Sequence, residues 1–500
     1  MELERSAPRQ GARFLRGALL IFALVAVGTS GAGAQQTAQA QFSLSREAVA
    51  QTARQVPVGG RLHLAGVPLE ARTVMLVLER FEVFTSDAKV AVHGAQGETI
   101  VRPPNRAYFR GSVDDEPDSL AFLAVGEDGD VRGLVMSQGR MHVLGAERED
   151  APADGALVVR AVDESLGKMK EPSWNQGTDA LYGPGSADAL EAIFSEQSEL
   201  QTALAAAAQY SMVVAIETDW EFYHLFNNVN NAAGYVGDLL GAASTIYNRD
   251  IGTTLRINYL SLWTGGAASD PWSANSTIGL LCEFGGWWHT NRPQASYPRS
   301  TAHFLSGKGL GGGVAWVSTL CSGDFDASSF GCSAGQYGGG YGITANIAGS
   351  FNPSSPTVVW DIYATSHEIG HNFGSPHSHC YNDYPTTGFP PVDMCYGSEP
   401  GCYSGSVSLP VGGKGSIMSY CHLLGGGISN NIALSFGATG QYGTLSERIP
   451  QRMQSFVASR PASCRKLIDA PPADFNGDGR SEVVIYRNGA WVEINFWPGK

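Results

Sequence analysis

Residues 367–377 read HEIGHNFGSPH. His367 and His371 stand four apart, so both imidazoles project from one face of a helix that carries them. Two imidazoles so placed can share one tetrahedral zinc ion, and Glu368 projects beside it, in position to deprotonate a water. Gly374 permits the left-handed turn that ends a helix and reverses the chain. That reversal brings His377 back as a third ligand. Three protein ligands leave the fourth position to water, which is the arrangement of a catalytic rather than a structural zinc.

Working outward, Pro356 is tolerated in a first turn and opens a predicted helix running to about Phe373. Strands are predicted at 211–216 (SMVVAI), 254–263, 313–320 (GVAWVSTL) and 341–349, a long helix at 219–248, and a last helix at 447–459. Strands interleaved with long helices describe a mixed α/β domain. The 313–320 strand has two readings: an edge that binds an extended peptide by backbone pairing, or an interior strand. All eight cysteines lie between Cys282 and Cys464, which marks one folded unit with up to four disulfides and leaves their pairing open.

At 500 residues the chain is too long for one core. Upstream, residues 35 to about 165 alternate apolar and polar positions, as in TVMLVLERFEV (73–83) and SLAFLAV (119–125), and read as a β-rich domain. A Gly-, Ser- and Pro-rich stretch, 171–185, and a helix candidate, 186–209 with Ser186 as N-cap, suit a connector. The first residues carry Arg5, Arg9, Arg13 and Arg16, then an apolar run (17–28) and Ala32-Gly33-Ala34. That is the pattern of a cleaved secretory signal; the alternative is a retained anchor. No other run reaches the roughly 20 apolar residues of a membrane span. The net charge of −14 argues against nucleic acid or an anionic membrane as main partner. After a linker (468–473), Asp474, Asn476, Asp478 and Glu482 place oxygens on a glycine-bent loop suited to calcium, or form a plain solvated acidic turn.

Residues 416–420 read SIMSY. With the zinc motif, this resembles the metzincin metallopeptidases, whose long motif is followed by a methionine turn. The resemblance implies that Met418 forms an apolar floor under the imidazoles. HEIGHNFG and the cysteine-rich region are most similar to reprolysins (adamalysin-like, in their bacterial form), over roughly 208–466, with a fainter likeness to a reprolysin pro-region. Reprolysins usually carry Asp after the third histidine, where this chain has Ser378. Tyr420 matches instead the tyrosine of astacins and serralysins, which ligates zinc and then bonds the oxyanion; its other reading is a packed aromatic. The family register favours His377 over His379 as third ligand, and leaves His303 and His422 as ordinary polar residues. DFNGDGRSEVVIYRNG (474–489) resembles one calcium-binding FG-GAP/VCBS repeat.

The resemblance therefore implies a signal peptide (1–34), a β-rich propeptide with helical connector (35–207), and an α/β metzincin catalytic domain (208–466). That domain is expected to have a mixed, mostly parallel sheet and a long active-site helix; a linker and repeat fragment follow (467–500). The implied function is a secreted, zinc-dependent endopeptidase acting on proteins or peptides, made as a zymogen, with no membrane span in its mature form. Its rival is a non-catalytic adhesion protein on the same scaffold, against which Glu368 argues. Latency by a propeptide thiolate is excluded, because no cysteine precedes Cys282.

Overall fold

A computed structural model describes residues 45–148, 155–162, 179–184, 209–383, 388–467, 483–487 and 490–494. The expected signal, the 186–209 connector beyond its last residue, and the calcium loop with Asp474, Asn476, Asp478 and Glu482 lie outside these residues.

After helix α1 (Arg46–Gln55), the chain forms β1 (Arg61–Leu69) and β2 (Arg72–Phe81). A hairpin follows, β3 (Phe84–Gly94) and β4 (Gly97–Val101), then β5 (Arg106–Val113), β6 (Glu116–Gly126), β7 (Val131–Ser137), β8 (Arg140–Gly145) and β9 (Val158–Ala161). Seven of these strands pair antiparallel in the order β1-β2-β5-β6-β7-β8-β9. The β-rich reading rests on their period: β1 buries alternate residues, and its inward face shares one apolar core with Val49, Ala50 and Ala53 of α1.

The hairpin β3–β4 leaves that sheet. β3 pairs parallel with β12 (Thr253–Trp263), so it extends the second sheet across the expected 207/208 boundary. The second sheet also holds β10 (Ala180–Leu181), β11 (Tyr210–Thr218), β13 (Thr301–Leu305), β14 (Gly313–Trp316), β15 (Tyr341–Thr344) and the short β16 (Lys466–Leu467). Its order is β10-β14-β15-β13-β11-β12-β3-β4, with β16 beside the start of β11. The pairs β11–β12, β11–β13, β13–β15, β12–β3 and β10–β14 are parallel; β14–β15 and β3–β4 are antiparallel. A mixed, mostly parallel sheet is what the sequence led us to expect.

The helix expected at 219–248 is two helices. Asp219 caps α2 (Trp220–Phe226) by accepting from the Phe222 N–H at 2.7 Å, and Asn227 ends it in the left-handed region at φ 50°. Asn228 then accepts from the Asn231 N–H and starts α3 (Val229–Ile251). Asparagine tolerates left-handed backbone and caps well, so the Asn-Asn pair favours a break over continuation. From Ala232 to Tyr247 every residue of α3 is buried, because it lies between β12 and the N-terminal sheet. A Cβ on Gly241 would sit 2.8 Å from the Phe122 ring, so only glycine lets that sheet approach. Asp238 in the same stretch accepts from Arg106 of β5 at 2.8 Å and Arg132 of β7 at 3.0 Å.

α4 (Thr277–Asn291) packs near β14 and β15. α5 (Val358–Asn372) begins two residues after Pro356 and is buried throughout; α6 (Arg448–Ser459) covers its far end. In α5, Asp361 accepts from the Ala348 and Gly349 N–H groups and from the Tyr235 hydroxyl, which ties its first turn to α3. All eight cysteines pair, as Cys282–Cys332, Cys321–Cys464, Cys380–Cys402 and Cys395–Cys421. Beyond them, β17 (Val483–Arg487) and β18 (Ala490–Ile494) form an antiparallel pair. No helix among the described residues is long and apolar enough to cross a membrane.

Candidate active site

The last turns of α5 set out the first two histidines, and a glycine turn returns the third. At Gly374 φ is +93°, and a Cβ there would also meet the Phe456 ring of α6 at 2.9 Å. Only glycine satisfies both the backbone and the packing. The three imidazole rings of His367, His371 and His377 then stand with centroids 4.8–5.3 Å apart, all fully buried.

Their tautomers follow from what lies behind them. His367 Nδ1 donates to the Ile417 carbonyl at 2.7 Å and His371 Nδ1 to the Ser375 carbonyl at 2.8 Å. A carbonyl can only accept, so both protons are on Nδ1 and both Nε2 lone pairs face inward. Those two Nε2 atoms are 3.1 Å apart. His377 Nδ1 meets a carboxylate, Glu399 Oε2, at 2.7 Å, the orienting contact that metal-bound histidines commonly have. Burial alone would keep His377 neutral; the Asp179 and Glu399 carboxylates on its two nitrogens reverse this and hold its pKa at about 10. The two carboxylates thus favour positive charge at this ring. Donors about 2.0–2.1 Å from a tetrahedral zinc stand about 3.3 Å from one another. The observed 3.1 Å, together with the inward lone pairs, fits that ion.

The fourth side of the cluster is Asp179. Its Oδ1 lies 3.1 Å from His377 Nε2 and its Oδ2 3.5 Å from His367 Nε2. The Tyr420 hydroxyl also donates to Oδ1. With the three histidines it completes a set of four fully buried groups whose donor atoms all lie within 4.8 Å of one another.

Glu368 sits beside this set. Both of its carboxylate oxygens are buried without a hydrogen-bond partner, and burial, followed by the charge of Asp179, pushes its pKa well above the usual range. Its Cγ and Oε1 would each be 2.5 Å from a Cβ on Gly313, the first residue of β14. The carboxylate is thus packed against the start of β14. Beneath the rings, Met418 is fully buried, and a Cβ on Gly370 would fall 2.6 Å from its sulfur. The 416–420 turn and the helix touch at Gly370, one of the motif's two glycines.

Tyr420 is buried with its ring centroid 4.5 Å from that of His377. Ser378, where the resemblance leads one to expect Asp, donates to the Met418 carbonyl and to Asp393, so a carboxylate still reaches this spot from elsewhere in the chain. His379 stacks on His377 at 8° and bonds Glu399 at 2.7 Å, and it is not among the histidines that converge with Asp179. His303 bonds Thr344 inside the sheet and His422 bonds Tyr363; burial lowers both to about 3, which keeps them neutral.

Two site residues escaped the sequence reading. Glu399 lies in the loop closed by Cys380–Cys402, and the two histidines it bonds lower its pKa to about 2 despite burial, which acts the other way. Asp179 comes from the Gly- and Pro-rich stretch, almost two hundred residues before the motif, and no spacing rule connects them.

Residues 208–430 match the reprolysin model of metallo-peptidase family M12. Among solved structures the chain is similar to metalloproteinase-II from Bacteroides fragilis. The identity is 10%, with 70% of this chain and 91% of that one covered, at a TM-score of 0.37. No curated protein matches the chain.

Proposed function

Residues 208–430 form a reprolysin-like metzincin of metallo-peptidase family M12, and from that premise we propose a secreted, zinc-dependent endopeptidase whose general base is Glu368. A metallopeptidase of this family acts on proteins or peptides. The observation that carries the finer reading is the tautomer pattern. Acceptors behind His367 and His371, and a carboxylate behind His377, turn three Nε2 atoms onto one point beside an unpartnered buried carboxylate.

Zinc, when bound, supplies Lewis acidity, which polarises a carbonyl and brings the pKa of a water toward about 7. His367, His371 and His377 would hold it, and Met418 would support their rings from below. Glu368 accepts the proton of the attacking water as oxygen bonds to the carbonyl carbon. It then delivers that proton to the leaving nitrogen as the C–N bond breaks. Burial, followed by the charge of Asp179, raises its pKa above the usual carboxylate range, which favours its taking up a proton. The main-chain N–H groups of Ala315 and Val317, which here donate to the Asp179 and Leu181 carbonyls, are the groups with which an extended peptide would pair. The Tyr420 hydroxyl is placed to donate to an oxygen at the point Asp179 Oδ1 now holds. Export agrees with four disulfides, which persist in oxidising compartments.

Glu368→Gln tests the mechanism. It should keep its zinc yet lose roughly 10²–10⁴ in kcat on a denatured protein substrate. Near-wild-type proteolysis by that variant would overturn the proposal.

A further inference from the structure

Far from the zinc motif, the N-terminal region meets the rest of the chain along the β12 edge and along one face of α3. At the edge, β3 pairs with β12 at six positions, from Ile257↔Phe84 to Trp263↔His93. Side chains lock the hairpin there. The His93 ring stacks on Trp263 at 4.0 Å, its Nε2 bonds the Ser261 hydroxyl at 2.9 Å, and Arg292 donates to Glu98 of β4 at 2.7 Å. On α3, Gly234, Gly237 and Gly241 follow at spacings of three and four, which puts them on one face. Arg106, Tyr108 and Phe122 of the N-terminal sheet take the space their missing side chains leave, and Asp238 between them holds Arg106 and Arg132. β6 is buried on both faces. Ala121, Leu123 and Val125 belong to the apolar core around α1, whereas Leu120, Phe122 and Ala124 share one core with Val236, Leu239 and Leu240 of α3 and with Met212 of β11. Separable domains meet through more polar patches; a core cut in half is the mark of obligate partners.

We infer that the β12 edge and the glycine face of α3 form an interaction surface whose partner is this chain's own N-terminal β-region, and that the two stay together when the connector (185–208) is cut. The cut enzyme is then a complex of two polypeptides: one carries the zinc motif, and the other completes its sheet. The region expected as a propeptide becomes a resident subunit. Its departure would strip both arginines from the fully buried Asp238, unpair one edge of the sheet and uncover the apolar side of α3, all at once. An edge strand so bared is a template for pairing with other chains, which the retained hairpin prevents. The inference concerns assembly and does not depend on the peptidase reading.

The test uses the full chain carrying Glu368→Gln, so that it cannot cut itself, with the recognition sequence of a site-specific protease inserted in the connector. After complete cutting, the two pieces should co-elute at the volume of the uncut chain in size-exclusion chromatography at about 1 μM, and should part only in urea. Exchange of the N-terminal piece against an isotope-labelled copy, followed by mass spectrometry, reads the dissociation rate. Asp238→Ala should hasten that exchange about 30-fold or more, because it leaves a buried charge of the partner piece unpaired. Glu98→Ala, on the partly exposed hairpin, serves if the first variant fails to fold and should hasten it about twofold to fivefold. Elution of two separate folded pieces in native buffer would overturn the inference, as would an exchange rate that neither substitution moves. The peptidase reading would survive either result, since no activity enters the measurement.

Discussion

Asp238→Ala tests whether the N-terminal β-region is built into the catalytic domain or merely leans on it. The carboxylate is fully buried in α3 and accepts from Arg106 Nε at 2.8 Å and Arg132 Nη1 at 3.0 Å, both from the N-terminal sheet. Asp130 bonds the same two guanidiniums, at 3.2 and 2.8 Å, so the quartet is neutral. Truncation leaves one positive charge uncompensated beside α3. Removing one partner of a buried pair costs about 3–5 kcal/mol. Asp130 retains a hold on both arginines, and the Arg132 side chain is 27% exposed, so screening lowers the expectation to about 3 kcal/mol. The assay is urea unfolding of the full chain, kept uncut by Glu368→Gln. A double-mutant cycle with Arg106→Met should return a coupling of about 2 kcal/mol, since that pair is in direct contact. A coupling below about 0.5 kcal/mol would refute the reasoning and make the quartet a screened surface network.

Glu399→Gln should weaken zinc binding about 10–100-fold in a chelator competition, because the amide cannot serve His377 and His379 as the carboxylate does; unchanged affinity would remove Glu399 from the site. Gly313→Ala should place a methyl 2.5 Å from Glu368 Cγ and from the Ile343 carbonyl, neither of which can give way freely. Zinc content should stay at one while kcat falls about 10–100-fold, and full activity would show that Glu368 tolerates displacement. Glu217 is buried against the indole N–H groups of Trp263 and Trp288, and burial raises it from the usual 4.5 to about 7. The folded chain thus holds this proton longer than the unfolded chain, so the group costs nothing below pH 4.5 and costs progressively more as pH rises to 7, by about 3 kcal/mol at most. Urea midpoints of Glu217→Gln and its parent should therefore diverge in favour of the variant between pH 4.5 and 7; a constant difference would mean that the carboxyl titrates alike in the folded and unfolded chains.

The parts of this fold that depend on near neighbours were legible in the sequence. HEIGHNFG determines its own helix face, its own glycine stop and the return of His377, because every relation in it spans one or two turns. The strands at 211–216 and 254–263 were equally plain, since short apolar runs buried on both faces read as strands whatever their partners. Partner choice was not legible. β3 alternates like its neighbours in the N-terminal sheet, yet it pairs with β12, and nothing in its pattern of half-buried residues states which edge it joins. Disulfide pairing among eight cysteines is likewise a matter of tertiary placement. The Asn227-Asn228 break did carry a signal, the left-handed tolerance and capping strength of asparagine, but the apolar period ran on either side of it and masked the stop. Asp179 and Glu399 depend on contacts far along the chain, and a single acidic residue in a loop has no period to betray it.

The second sheet has two ends, and the N-terminal region covers both by different means. At the β12 end, β3 adds a strand through six paired positions, with Val90 and Ala91 fully buried, and β4 beyond it is exposed along its whole length. At the β14 end, β10 adds two paired positions and a carboxylate. An uncovered edge strand invites pairing with other chains, so covering both ends protects the protein while it folds. Under the proposed function only one of those edges must open, because a peptidase that pairs with an extended substrate needs free N–H groups beside its metal. The two covers divide along that line. Where the edge is never used, the added strand is long and shares the core; where the edge carries Ala315 and Val317 beside Glu368, the cover is two residues long and is held at the metal site itself.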